Sequence, residues 1–181
     1  DPVARYVPEF GKFGKERITV EQLMTHRAGL PADNEIADYV GKTIDPLQLI
    51  YELRPSFEPG TRFVYSDVGF IVAAEIVRRV SGNRIDKFAI DNIFSGLQML
   101  RTLYITPEVV KAVRSLRERE RIGVDVGFAE QWVSPTLRDL FDLTAPTEMR
   151  EGRWMRGEVH APRAYEMRGV AGHAGLFSTA G

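Results

Sequence analysis

Residues 57–82 read FEPGTRFVYSDVGFIVAAEIVRRVSG, and more of the fold can be read from this run than from any other. Pro59 and Gly60 mark a turn. Residues 61–65 alternate well enough for a short strand, and Ser66 can then cap a helix. After Asp67 the polar residues up to Val80 are Glu75, Arg78 and Arg79, all on one helical face. The rest is apolar, which predicts a mostly buried helix that stops at Gly82.

Working outward, Thr19 and Gln22 have the spacing of a capping box, a hydroxyl at the helix start and an amide three residues later. A short helix burying Leu23 and Met24 is expected to follow, ending near Gly29 and Pro31. Asp45 and Pro46 open a second helix, with Leu47, Leu49 and Ile50 as its apolar side. A further helix is predicted over 84–94. Another begins at Thr106, Pro107 and Glu108, with Val109, Val113 and Leu116 on one face and the charged run 114–121 as a solvated outer face. Residues 124–168 mix glycine, proline and tryptophan with short apolar runs, which suggests loops and short strands. Residues 169–179 read as a glycine-rich turn entering a strand in which His173, Gly175 and Phe177 share a face. The chain has no internal repeat and no low-complexity tract.

The bulk properties set limits on function. Across 181 residues, 44% hydrophobic and 27% charged, the composition is that of a globular domain or most of one. A formal net charge of -1, with scattered basic residues, argues against nucleic acid as a partner. No cysteine is present, which excludes disulfide scaffolds, thiol nucleophiles and thiolate metal sites but leaves the compartment open. The longest apolar run, residues 68–74, is far short of the roughly 20 residues that span a bilayer, so no transmembrane segment is expected. The chain begins at Asp1 and stops straight after an apolar run. It is therefore read as a single incomplete domain, 1–181, truncated at both ends.

The chemistry available is restricted. The three histidines, His26, His160 and His173, lack the short regular spacing of a zinc site, so no metal is expected. There is no phosphate-cradling glycine motif and no Gly-x-Ser-x-Gly elbow. None of the serines has a lysine three residues later, so the Ser-x-x-Lys pair that activates a serine is missing; Ser81 is followed by Arg84, which is too basic to take a proton.

Three extended segments, in this order, resemble the class C β-lactamase-like serine hydrolases, which include penicillin-binding D-Ala-D-Ala carboxypeptidases and esterases. Residues 18–31, ITVEQLMTHRAGLP, are similar to the family's Thr-His segment ending in Gly-Leu-Pro. Residues 57–70 resemble the Pro-Gly segment that leads into the family's Tyr-x-Asn motif. Residues 169–180, GVAGHAGLFSTA, resemble the third motif, Lys-Thr-Gly or His-x-Gly, on the strand lining the active site. Weaker echoes lie at 93–99, 145–148 and 157–160, and only about 108–131 finds no counterpart. The resemblance implies an α+β fold of the β-lactamase/transpeptidase type, an α/β-type sandwich of which this chain carries most of the helical subdomain and the active-site strand.

The same resemblance implies roles. Tyr65 is the proton carrier of the second motif. A phenol ordinarily titrates near pH ~10, so it needs cationic neighbours to act as a base at neutral pH. Asp67 stands where asparagine is commoner; it can accept a hydrogen bond but cannot donate one as asparagine does. His173 stands where many relatives have lysine, and imidazole can bond to a tyrosine or to a substrate carboxylate. Ala174 and Gly175 would line the substrate strand, and the backbone N–H of Leu176 would join that of the serine in an oxyanion hole. His26 is read as a structural helix-to-loop joint.

The implied activity is acyl transfer by a serine lying before Asp1, acting on a β-lactam, a D-amino-acid peptide or an ester, with no cofactor. The 181 residues alone are expected to be inactive. The partner is then a small-molecule or peptide substrate, and the family's habits suggest a periplasmic or secreted location. Two alternatives stay open: a non-catalytic relative that binds peptidoglycan-like peptides or a protein partner, and an unrelated helical interaction domain.

Overall fold

A computed structural model describes residues 1–41, 45–111, 113, 115 and 143–179. They form two compact units, the first made of residues 1–93 with 171–173, the second of residues 94–170 with those from 174 onward. Among the described residues no helix is long and apolar enough to cross a membrane.

The first unit is helical. Helix α1 (Val20–Met24) starts at the expected capping box: Gln22 N–H donates to the Thr19 hydroxyl and the Gln22 side chain accepts from Thr19 N–H. Helix α2 (Pro46–Glu52) starts at Asp45, whose carboxylate accepts from Leu47 N–H, with proline in the first turn. Helix α3 (Asp67–Ser81) starts at Ser66 and ends at Gly82, whose φ of +74° is the left-handed cap that glycine adopts without cost. Helix α4 (Ile85–Ala89) runs on into a π-helical turn, Ile90–Phe94. The starts of α1, α2 and α3 agree with the sequence signals, because capping chemistry is local and owes nothing to distant residues, whereas α4 begins without a side-chain cap.

The core of this unit is built on α3, whose Val68, Ile71 and Val72 are buried together with Leu23 of α1 and Ile50 and Tyr51 of α2. Burying each such aliphatic side chain contributes about 1.5–3 kcal/mol. The N-terminus is tied in by a β-bridge between Pro2 and Thr19, with Val3 N–H donating to Ile18 O at 2.8 Å. Met24, expected to be buried, is instead half exposed. Since α1 has five residues, its contact with α3 is made through Leu23.

Two buried charges depart from the patterns expected. Glu75, assigned with Arg78 and Arg79 to the polar face of α3, is only 4% exposed. Its carboxylate accepts from Arg78 Nε at 2.6 Å and from Arg79 Nε at 2.7 Å, and Arg79 goes on to Glu9 at 2.9 Å. The charge is tolerated inside because it is paired and multiply hydrogen-bonded. Lys15 is fully buried, and its ammonium donates to the carbonyl oxygens of Tyr51 (2.9 Å) and Leu53, closing the C-terminal end of α2.

The second unit has little regular structure among its described residues. A helix, α5, begins at residue 107, with the Thr106 hydroxyl near Val109 N–H at 3.4 Å. Its buried residues are Val110 and Val113, while Val109 is half-buried; Leu116 and the charged run 114–121 lie outside the described residues, apart from Ser115. Strand β1 (Leu103–Tyr104) pairs antiparallel with β4 (Leu176–Phe177), and β2 (Met149–Arg150) pairs with β3 (Arg153–Trp154). Helix α6 (Pro162–Glu166) lies between β3 and β4 in the chain. Helices with small antiparallel sheets make this an α+β chain.

Two predicted strands are corrected. Residues 61–65 form no strand; Val64 N–H donates to His26 O at 2.9 Å, a bond to an irregular loop. The strand expected across 169–179 is confined to Leu176–Phe177. Gly175, with φ of +115°, interrupts the extended run, and His173 sits in a bend before it. The face shared by His173, Gly175 and Phe177 does not exist.

The Glu75 cluster yields a pH prediction. Burial alone would push the Glu75 carboxyl up, but the hydrogen bonds from Arg78 and Arg79 outweigh it and hold it below the ordinary glutamate value. The folded state thus binds this proton less readily than the unfolded chain. The cluster's stabilisation is present above the ordinary glutamate range and is lost as pH falls through the depressed value. In urea denaturation, Glu75→Gln should lose about 2 kcal/mol at neutral pH, less than for a fully buried pair because Arg78 is half exposed. The gap to the wild type should narrow as the medium is acidified.

Candidate active site

The first unit brings one set of the candidate residues together around the start of α3. The loop after α1 and the segment before α3 run side by side. Ser56 N–H donates to Gly29 O (2.8 Å), Gly60 N–H to Arg27 O (2.8 Å), Val64 N–H to His26 O (2.9 Å) and Asp67 N–H to Ala32 O (2.9 Å). Ser66 is the knot in this lashing. Its hydroxyl donates to Pro31 O at 2.6 Å and accepts from Gly69 N–H at 3.2 Å, so it is a tertiary tie as well as the expected cap. Its own N–H donates to His26 Nδ1 at 3.0 Å.

Tyr65 is held out from this junction. It is 61% exposed, so it does not fill the core, and its ring rests on that of His26 at a centroid distance of 4.5 Å. Phe70 stacks on His26 at 5.0 Å, and Phe63 meets it edge-on at 5.6 Å. Asp67 takes the first position of α3, where its charge complements the helix dipole, and it is half-buried.

His173 reaches the same helix turn from the other end of the chain. Residues 171–173 belong to the first unit, and Gly172 lies so close to α3 that a Cβ there would fall 2.0 Å from Phe70 O and 2.8 Å from Ala74 Cβ. Both ring nitrogens of His173 are shielded from solvent. Tyr65 and Phe70 both stack on the His26 ring, and Gly172, the neighbour of His173, packs against the Phe70 carbonyl.

Ala174, Gly175 and Leu176 belong to the second unit. Leu176 pairs with Tyr104 in the β1–β4 ladder and leaves its side chain half exposed. A Cβ on Gly175 would lie 2.2 Å from Gly169 O, and the left-handed φ is a second reason for glycine there. Thr102 and Ser178 hydroxyls bond at 2.8 Å and brace the end of the ladder. His160 is exposed, and its carbonyl accepts from Arg150 at 3.0 Å. Among the described residues no three histidine or carboxylate side chains gather as a metal site would require.

Phe63 and Phe70 were not singled out from the sequence, and His26 was read there only as a joint. Aromatic residues in an apolar run carry no signal of which ring they will meet. The left-handed φ of +56° at His26, just past the Thr25 cap of α1, is where the joint and the ring stack coincide.

Gly172 gives a direct test of how the His173 bend is seated. Gly172→Ala should destabilise the fold by about 1–3 kcal/mol, as overpacking does. It should also shift the NMR resonances of His173 and Phe70 together while leaving those of β2 and β3 in place.

Known proteins bear on these residues over the whole chain. The Beta-lactamase family model matches residues 1–181. A putative D-alanyl-D-alanine carboxypeptidase of Escherichia coli (strain K12) is 27% identical over 204 residues, covering 100% of this chain and 42% of that protein. An N-acetylmuramyl-L-alanine amidase of Bacillus subtilis (strain 168) is 27% identical over 194 residues, covering 99% of the chain and 41% of the relative. The chain therefore spans about two fifths of the length of these relatives. Among solved structures, an octameric penicillin-binding protein homologue from Pyrococcus abyssi superposes with a TM-score of 0.55 at 23% identity, over 99% of this chain and 36% of that one. The α+β architecture is accordingly that of β-lactamases and transpeptidases, and the chain belongs to the β-lactamase family.

Proposed function

We propose that the whole protein to which these residues belong is a serine hydrolase that works through an acyl-enzyme, with Tyr65 as its proton carrier. The observation that carries this reading is the setting of Tyr65. It is an exposed phenol at the start of a buried helix, gripped from below by His26 and flanked by Asp67. An exposed tyrosine in so constrained a place is poorly explained as a filler of the core. It is well suited to meet a substrate.

In the proposed reaction a serine from the part of the protein before Asp1 attacks the substrate carbonyl. Its proton passes toward the Tyr65 oxygen, and the leaving group collects it. The developing oxyanion is received by backbone N–H groups, that of Leu176 among them. Water then attacks the acyl-enzyme and frees the serine. Asp67 accepts a hydrogen bond close to Tyr65, whereas His173, its ring nitrogens shielded from solvent, is given no direct contact with substrate. Ala174 and Gly175, directly before Leu176, would contact the acyl chain.

Relatives named as a carboxypeptidase and an amidase favour amide substrates. A peptide ending in D-amino acids is the first substrate class to try, with β-lactams and small esters as its mimics. The 181 residues contain no Ser-x-x-Lys, so on this reading they turn nothing over by themselves.

The test uses the whole protein, its Tyr65→Phe variant and the isolated 181-residue chain, each with a D-Ala-D-Ala peptide, a chromogenic cephalosporin and a nitrophenyl ester. Turnover by the whole protein should fall roughly 10²- to 10⁴-fold on Tyr65→Phe, the range for losing a general acid–base group. The isolated chain should not exceed buffer. Full activity in the variant, or turnover by the chain alone, would overturn the reading. A whole protein that binds the peptide without cleaving it would place it among the non-catalytic relatives.

A further inference from the structure

His26 holds the chain on both sides of Tyr65. Its carbonyl accepts from Val64 N–H at 2.9 Å and its ring Nδ1 accepts from Ser66 N–H at 3.0 Å. Between these two bonds the face of the same ring carries the phenol, 4.5 Å away and tilted by 33°. One residue thus supplies three contacts: two that set the peptide planes around Tyr65 and one that sets the direction of its ring.

The need for such a hold follows from exposure. With 61% of its surface open, Tyr65 has packing on one side only, and a phenol in that position would otherwise sample several staggered rotamers. Phe70 also stacks on the imidazole at 5.0 Å and 29°, and Phe63 meets it at 5.6 Å and 76°. The imidazole is a fixed platform. Its backbone is bent to the task as well, with φ of +56° in a region that a non-glycine residue enters only when its surroundings require it. Because Nδ1 accepts from Ser66 N–H, the working ring is the neutral tautomer with its proton on Nε2.

We infer that His26 is a positioning residue for Tyr65, fixing the direction of the phenol through the Ser66 N–H bond and the ring stack. The inference rests on the reading of Tyr65 as proton carrier. It assigns His26 no contact with substrate; its effect passes through the tyrosine. Misplacing a reacting group by about an ångström costs up to roughly a hundredfold in rate. Loss of this hold should therefore appear in kcat, with KM little changed.

The experiment compares the whole protein with His26→Ala, His26→Asn, His26→Phe and Tyr65→Phe. Asparagine tolerates the left-handed backbone and offers an acceptor to Ser66 N–H but no ring; phenylalanine offers a ring but no acceptor. Unfolding free energy, kcat and KM are measured for each. The χ1 couplings of selectively labelled Tyr65 are read by NMR in each variant and in the wild type.

Wild-type Tyr65 should occupy one rotamer, and kcat should fall roughly tenfold or more in His26→Ala, with partial recovery in His26→Asn. The falls in kcat should follow the averaging of the Tyr65 couplings and not the loss of stability. If folded His26→Asn and His26→Phe match the wild type while Tyr65→Phe is inactive, His26 is only a spacer and the inference fails alone. If Tyr65→Phe is fully active, the reading of Tyr65 fails and takes the inference with it. Averaged couplings in the wild type would overturn it even if no His26 variant folds.

Discussion

The hydrogen bonds that lash the loop after α1 to the segment before α3 are the constraint on which the first unit depends. Six backbone N–H groups between Ser56 and Asp67 find their acceptors within residues 26–32, one of them on the His26 ring. Neither segment is a strand, so neither could satisfy its peptide groups by a regular ladder, and leaving them unpaired inside a protein would cost heavily. Each segment is the other's solution. The pairing sets where α3 begins, because Ser66 belongs to the lashing and is also the cap of the helix.

From that starting point α3 organises what surrounds it. Its apolar side receives α1 and α2, and its remaining side carries a carboxylate inward. Glu75 can be buried because two arginines on its own helix, one turn further on, fold back onto it and one of them reaches Glu9. Lys15 solves the equivalent problem for α2, using an ammonium to satisfy carbonyls that the helix end leaves open. Both charges lie inside because each has partners enough to replace water.

The candidate active site grows out of the same junction. The phenol of Tyr65 is exposed because the residues on either side of it are committed: Val64 and Ser66 to His26, and Asp67 to the helix start and Ala32. The bend carrying His173 packs against the first turns of α3 at a position where only glycine leaves room. On the proposed reading of Tyr65 as a proton carrier, rigid backbone beneath the protruding side chain suits that role, since rate falls steeply with misplacement.

What could be read from the sequence was what is decided over a few residues. Thr19 with Gln22, Asp45 with Pro46, and Ser66 with Gly82 set the limits of three helices, because caps and left-handed glycines act through neighbouring peptide groups. The extended motifs at 18–31, 57–70 and 169–180 likewise brought the family to light, and with it the identity of Tyr65, Asp67 and His173 as the residues to watch. Tertiary structure decided the rest. Residues 61–65 have strand-like alternation but bond to a loop, since alternation states a preference and only the partner makes a strand. His173 left its expected strand because Gly175 turns the chain. Glu75 went inside and His26 came to lie under Tyr65 through contacts between residues far apart in the sequence, which no local pattern encodes.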